Sequence, residues 1–384
     1  MPLPRTFDDF HANHAVLDNL RAAIASGRLP HSMILLGPRG VGKYTLAVML
    51  TMALECERQP REVSGRGLPE GETRELASYC GECRNCTRIA ESADLSARVE
   101  EAIATREEMK DTDKRETRVL VQTHPDVLIV PPDPPQLMIK LGQVRTVIQR
   151  SHYLPTEARA RVFLFTSAGF MKEAANSLLK LLEEPPAQVH LILLAENLGE
   201  LLPTIRSRCA VAHLGAMSVE EITALLAEHR KEVKGAEREL VARLSEGAPG
   251  RALSFDLATY AAARNDALTI LHTAERSGGM QDHSLLFKMT ESYRAGAEGQ
   301  EKTTALLRAL SSVLEDLLLL NAGVPDRIRN VDKRAELERM ATGFDYAWIE
   351  SAVRAMDQVQ SGMRRNLLRS LSLDAMAVGL ESVR

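Results

Sequence analysis

From the N-terminus to Leu214, short apolar runs alternate with amphipathic stretches. Met33-Ile34-Leu35-Leu36 is too short for a helix and too uniformly apolar for a surface strand, so it reads as a buried strand. Similar runs occur at Val127–Val130, Val162–Phe165, Val189–Leu194 and Ala210–Leu214. Between them, apolar residues recur three and four apart over Val16–Ile24, Tyr44–Glu55 and Met171–Glu184, the last stopped by Pro185-Pro186. Strands alternating with helices specify βαβ units and an α/β fold with a parallel, doubly wound sheet. Beyond Leu214 the strand runs cease. Residues 218–262 read as a small set of helices, and 265–384 carry helical stripes such as Leu306, Leu307, Leu310, Val313 and Leu314. The pattern predicts three domains: 1–214 α/β, 215–263 helical, and 264–384 all-α.

Two segments break the alternation. Residues 57–79 and 91–118 are rich in Glu, Arg, Lys, Ser and Gly with few aromatics. The first reads as a surface loop. The second reads as a charged helix over Leu95–Met109 with a solvated tail. Both fit insertions tolerated on the surface.

A chain of 384 residues and 42.3 kDa exceeds one ordinary domain, and its 45% hydrophobic and 26% charged residues have the balance of a globular protein. A net charge of −4 gives no global attraction to nucleic acid or anionic membrane, though a local basic patch remains compatible with it. No window approaches the ~20 apolar residues of a membrane span. The opening residues Met1–His14 lack the basic-then-apolar layout of a signal peptide, so the expected location is the cytoplasm, with no membrane partner.

Gly37-Pro38-Arg39-Gly40-Val41-Gly42-Lys43 completes G-x-x-x-x-G-K between a predicted strand and a predicted helix. In such a loop, glycines turn backbone N–H groups toward a phosphate, the helix N-terminus adds partial positive charge, and the lysine reaches the terminal phosphates. Position 44 breaks the pattern. A Ser or Thr hydroxyl would hold Mg²⁺ there, but the residue is Tyr44, and Thr45 is one residue late, turned about 100° away on a helix. A second acidic site is also missing. The strand Arg161–Phe165 leads into Thr166-Ser167-Ala168, where an Asp-Glu pair would hold the metal and polarise water; Glu173 comes a turn or more later. ATP or ADP binding is therefore compatible with the sequence, and hydrolysis at a useful rate is not expected.

Cys80-Gly81-Glu82-Cys83-Arg84-Asn85-Cys86 reads C-x2-C-x2-C, and Cys56 can complete a tetrahedral structural zinc site with no open position for catalysis. An iron–sulfur run of ferredoxin type would need cysteine where Ala90 stands. Three cysteines within seven residues argue against free thiols, and the ten histidines show no ligand-like spacing.

The run Ser207-Arg208-Cys209, the helix Asn176–Glu184 with Pro185-Pro186, the segment Ala25–Ser32 and His124-Pro125-Asp126 together resemble the bacterial clamp-loader AAA+ subunits of DNA polymerase III. The resemblance covers about residues 7–56, 80–88 and 123–253, and it implies a lid domain at 215–263 and a collar domain at 264–384. It implies that Arg208 is an arginine finger acting on a neighbour's ATP, with Arg206 a weaker candidate, Arg251 a lid arginine, Asn197 near the first sensor position and Cys209 packed inside. It also supports Cys56 as the fourth zinc ligand, although 23 residues separate it from Cys80 where the family has a short loop. Two subunit types carry the signature. Tyr44, Ser167-Ala168 and the absence of a long C-terminal extension in these 384 residues point to the delta-prime type rather than the ATP-hydrolysing tau/gamma type. The partners this implies are tau/gamma and delta subunits in a hetero-pentamer, the sliding clamp and, through the complex, primer–template DNA during replication.

Overall fold

The computed structural model describes residues 3–110, 117–134, 136–275, 284–293, 296–364 and 369–381. They form two compact units, one of Met1–Ser218 with Ala248–Arg251, the other of Val219–Gly247 with Ala252–Arg384.

In the first unit the chain runs α1 (His14–Ala25), β1 (Ser32–Leu36), α2 (Lys43–Glu55), β2 (Arg61–Ser64), β3 (Arg74–Ala77), α3 (Arg84–Ala90), α4 (Leu95–Glu107), β4 (Val121–His124), β5 (Val127–Val130) and α5 (Leu141–Ser151). It continues through β6 (Arg161–Phe165), α6 (Lys172–Glu183), β7 (Val189–Ala195), α7 (Pro203–Arg206) and β8 (Ala210–His213). The main sheet has the order β4-β5-β6-β7-β1-β8. Five strands are parallel, as the alternation predicts, and only β4 at the edge is antiparallel.

Strands β1, β5, β6 and β7 are buried along their whole length. Helices cover both faces of the sheet, so these strands are continuously apolar instead of alternating. Met33 and Leu35 of β1 enter one core with Leu17, Leu46 and Leu50, while Ile34 and Leu36 enter the other with Val144, Leu178 and Leu182. This is the two-residue side-chain period of a strand. The short β8 closes one edge and is largely exposed.

The segment 57–79 is not a plain loop. β2 and β3 pair antiparallel as a hairpin, with Arg61 opposite Ala77. Its anchor is electrostatic: buried Arg21 of α1 ion-pairs with Glu62 and donates to Ala77 O at 2.9 Å, and Arg74 approaches Asp18 at 3.8 Å. The second insertion does form the expected charged helix, α4, capped by Asp94 accepting from Ala97 N at 3.1 Å. Residues 111–116 of its tail lie outside the described residues.

Buried Asp126 ties the loop before β6 to the sheet. Its carboxylate accepts from the N–H groups of Thr156, Glu157 and Ala158 at 2.8–3.0 Å and from Arg161 Nη2 at 2.9 Å. Burial alone would raise its pKa; these donors outweigh that and hold it below the usual carboxylate range.

The second unit is helical: α8 (Val219–His229), α9 (Gly235–Leu244), α11 (Leu257–Glu275), α12 (Ser284–Glu291), α13 (Gly296–Asn321), α14 (Arg334–Ala341), α15 (Tyr346–Arg364) and α16 (Arg369–Glu381), with the short α10 (Pro249–Leu253) preceding α11. Leu306, Leu310, Val313, Leu314 and Leu317 of α13 form the centre of one core with Leu271, Leu337 and Trp348. Buried Asp316 accepts from the N–H groups of Arg329 and Asn330 at 2.7 and 2.8 Å, fixing the chain that enters α14.

Candidate functional site: a phosphate loop, a cysteine cluster and a surface arginine

The phosphate loop leaves β1 and opens α2, and the cavity it borders is also bordered by Thr166–Ala168 after β6 and Glu196 after β7. Gly40 and Gly42 have φ of +83° and +95°, a region glycine enters without strain. Gly37 is required by packing: a Cβ there would lie 2.4 Å from Leu214 O. A cavity of about 520 Å³ opens at the loop, bordered by Arg39, Gly40, Gly42, Lys43, Tyr44 and Thr45. Gly37 and Pro38 instead offer carbonyls to Lys43 Nζ, at 2.6 and 2.9 Å, and Val41 is buried in the core. Thr45, one residue past the metal position, also borders the cavity.

Two features set the chemistry of this cleft. The Tyr44 phenol points to the cysteine module, donating to Ser92 O at 2.6 Å; burial pushes its pKa up to about 12, so it stays a neutral donor. It places no oxygen where a metal-holding hydroxyl would stand. The cavity is also bordered by Thr166, Ser167 and Ala168, which follow β6, and Ser167 Oγ accepts from Gly169 N at 3.0 Å. As the sequence reads, no Asp-Glu pair follows β6.

The sequence reading missed Glu196 and Glu200, which border the same cavity from the end of β7. Burial lowers the Lys43 pKa, and these two carboxylates oppose that shift. Their position just past a parallel strand's C-terminal end was the available signal, since clefts of open α/β sheets lie there. Asn197 caps the turn between them, accepting from Gly199 N at 2.8 Å. The start of α10 packs on the loop: Gly250 N donates to Gly40 O at 3.0 Å, and a Cβ on Gly40 would approach Arg251 N at 3.2 Å and Arg251 Cβ at 3.3 Å.

The four cysteines do come together. Cys56 caps the end of α2, Cys83 caps the start of α3, and the sulfurs of Cys56, Cys80, Cys83 and Cys86 lie within 4.8 Å of one another. Hairpin β2–β3 accounts for the long spacing, returning the chain so that Ser78 N bonds Pro60 O at 2.9 Å. Backbone N–H groups of Cys80, Cys83 and Cys86 point at the sulfurs of Cys56, Cys80 and Cys83 at 3.3–3.5 Å. Burial raises Cys56 and Cys86; at Cys80 the N–H groups of Glu82 and Cys83 outweigh burial and bring the thiol down to about 7. Four sulfurs so close, with N–H donors already aimed at them, suit a tetrahedral ion with metal–sulfur bonds of about 2.3 Å. Cys209 belongs to the other core, where burial pushes its pKa up to about 11.

Arg208 follows α7 on the surface. Its Nε donates to Glu183 Oε1 at 2.7 Å and its Nη1 to Thr204 O at 2.8 Å. Arg206 is exposed, at the end of α7.

The strand order, the glycine loop between β1 and α2 and the cleft at the strand ends define a P-loop α/β domain of the AAA+ class. The family model described as "DNA polymerase III, delta subunit" matches residues 12–218, more than half of the chain, and the chain belongs to that family. It is 28% identical to DNA polymerase III subunit tau of Escherichia coli (strain K12), over 92% of this chain and 47% of that protein. It is 26% identical to subunit delta' of the same organism, over 82% of this chain and 77% of that protein. The chain thus spans about half the length of the tau relatives it matches. Among solved structures, a DNA polymerase III gamma subunit-related protein of Thermotoga maritima is 16% identical with a TM-score of 0.41, covering 96% of this chain and 99% of that one.

Proposed function

We propose that this chain is a delta-prime-like clamp-loader subunit in DNA replication. It hydrolyses no ATP itself and supplies Arg208 to the ATP site of a neighbouring motor subunit. The observation that carries the reading is the state of its own cleft: a complete phosphate loop whose metal position is filled by Tyr44, turned to Ser92, and whose β6 ends without acids. A positioned arginine can still stabilise charge on a transferring phosphoryl group in the neighbour, a contribution of about 10³–10⁵ in rate in other phosphoryl-transfer systems.

On this reading the three-domain division at 1–214, 215–263 and 264–384 describes an AAA+ core, a lid and a collar in an open ring with tau/gamma and delta subunits. The ring closes the sliding clamp on primer–template DNA in the cytoplasm, and DNA is met through its backbone without base readout. Gly37–Thr45 and Arg251 would cradle ATP or ADP, and Cys56, Cys80, Cys83 and Cys86 would hold a structural zinc. The bound ion fixes the ends of α2 and α3 and supplies no reaction step.

The test is reconstitution with candidate clamp-loader partners. The chain alone should show no ATP turnover, and Arg208→Ala should leave assembly intact but lower the DNA- and clamp-stimulated ATPase at least tenfold. Turnover by the isolated chain that Lys43→Ala abolishes would establish the rival reading, an active tau/gamma-type ATPase. The longer match to tau supports that rival; the cleft chemistry argues against it.

A further inference from the structure

Arg208 is occupied by its own chain. Nε and Nη2 both donate to Glu183 Oε1, while Nη1 donates to Thr204 O at 2.8 Å and to Ser207 Oγ at 3.2 Å. A guanidinium carries five N–H groups and reads carboxylate and phosphate with the same planar fork. All three of its nitrogens are engaged here. The Nε/Nη2 edge, a complete two-donor edge suited to a phosphoryl group, is filled by a carboxylate.

The pair is not a structural element of the core. The two side chains are 31% and 47% exposed. Glu183 is the last residue of α6, where a negative charge meets the negative end of the helix dipole and does not stabilise the helix. An exposed pair of this kind is weak enough to be exchanged for a more highly charged anion. We propose that Glu183 is a latch. In the free chain it occupies the phosphate-reading edge of Arg208, and it is exchanged for the phosphoryl oxygens of a neighbour's nucleotide when the ring closes. No covalent step is involved, only replacement of one anion by another on the same fork.

The proposal rests on the finger reading, and the experiment separates the two. In the reconstituted full-length complex, ATPase is measured with and without clamp and DNA for the wild type, Glu183→Gln, Glu183→Ala and, one residue along, Glu184→Gln. Releasing the latch should raise the unstimulated rate roughly two- to five-fold, the range an exposed pair can hold back. KM for ATP should stay unchanged, and the stimulated maximum should stay near wild type. Glu184→Gln should do nothing, and Glu183→Gln should have no effect when combined with Arg208→Ala. If neither Glu183 variant raises the unstimulated rate, or if both lower it, the latch is wrong while the finger stands. If Arg208→Ala leaves the stimulated rate unchanged, the finger reading itself fails.

Discussion

Replacing Tyr44 by Thr puts a hydroxyl back at the position where a phosphate loop ordinarily holds its metal, and it separates what that residue does from what it prevents. Tyr44 is half-buried against the first core and donates to Ser92 O at 2.6 Å. Emptying a fully buried aromatic site costs about 3–5 kcal/mol, so a half-buried ring partly replaced by Thr should cost about 2 kcal/mol. Losing the hydrogen bond adds about 1 kcal/mol. Tyr44→Phe removes only the hydrogen bond, so about 1 kcal/mol of the roughly 3 kcal/mol should appear there. With a denaturant slope of about 2–3 kcal/mol per molar urea, Tyr44→Thr should lower the urea midpoint by about 1 M, and Tyr44→Phe by about a third of that. Despite the restored hydroxyl, Tyr44→Thr should turn over no ATP with Mg²⁺, because Thr166, Ser167 and Ala168 still stand where the acids would be. Mg²⁺-dependent turnover in Tyr44→Thr, lost again on Lys43→Ala, would refute the argument that the cleft is disabled twice over. An unshifted midpoint would refute the packing role of the ring.

Three further outcomes follow from the geometry. Metal analysis should find about one zinc per chain, lost in Cys83→Ser with a lower melting temperature and retained in Cys209→Ser, whose sulfur lies in the other core. Asp126→Asn should cost about 3 kcal/mol at pH 7, because Arg161 and three N–H groups lose a buried anion. The folded-state pKa of Asp126 is depressed, so its contribution is full above the unfolded value of about 3.9 and is lost as pH falls through the folded value. The wild-type and Asn curves of stability against pH should therefore converge in acid; a constant gap down to pH 2 would be the contrary result. Gly37→Ala should destabilise by about 2 kcal/mol and weaken nucleotide binding, since its Cβ would sit 2.4 Å from Leu214 O and the loop must shift; unchanged calorimetric binding of ADP would count against the loop as the phosphate cradle.

Periodicity located β1, β5, β6 and β7 because burial on both faces forces continuous apolar runs that few other structures need, and it located the largely exposed β8 from its own short run. It failed where the cause was local charge. Arg61-Glu62-Val63-Ser64 and Arg74-Glu75-Leu76-Ala77 look like solvated loop, and they pair because Arg21 and Asp18 on a distant helix give Glu62 and Arg74 their partners. Helix α5 was legible from Leu141, Val144, Val147 and Ile148 recurring three and four apart, but the burial of Gln143, bonded to Val119 O and Pro131 O, was not.

By itself the sequence determined the α/β class, the G-x-x-x-x-G-K loop, a tyrosine at position 44 with no acid at 166–168, and the cysteine set, since each depends on residue identity at short spacing. Only the tertiary structure decided which groups meet. Setting β7 beside β1 brings Glu196 and Glu200 to the cleft of Lys43. The β2–β3 hairpin carries Cys80 back to Cys56, and the end of α6 lies where Glu183 reaches Arg208. Each of these encounters spans 23 or more intervening residues. Chain spacing says nothing about such distances, because the packing of helices on a twisted sheet is what closes them.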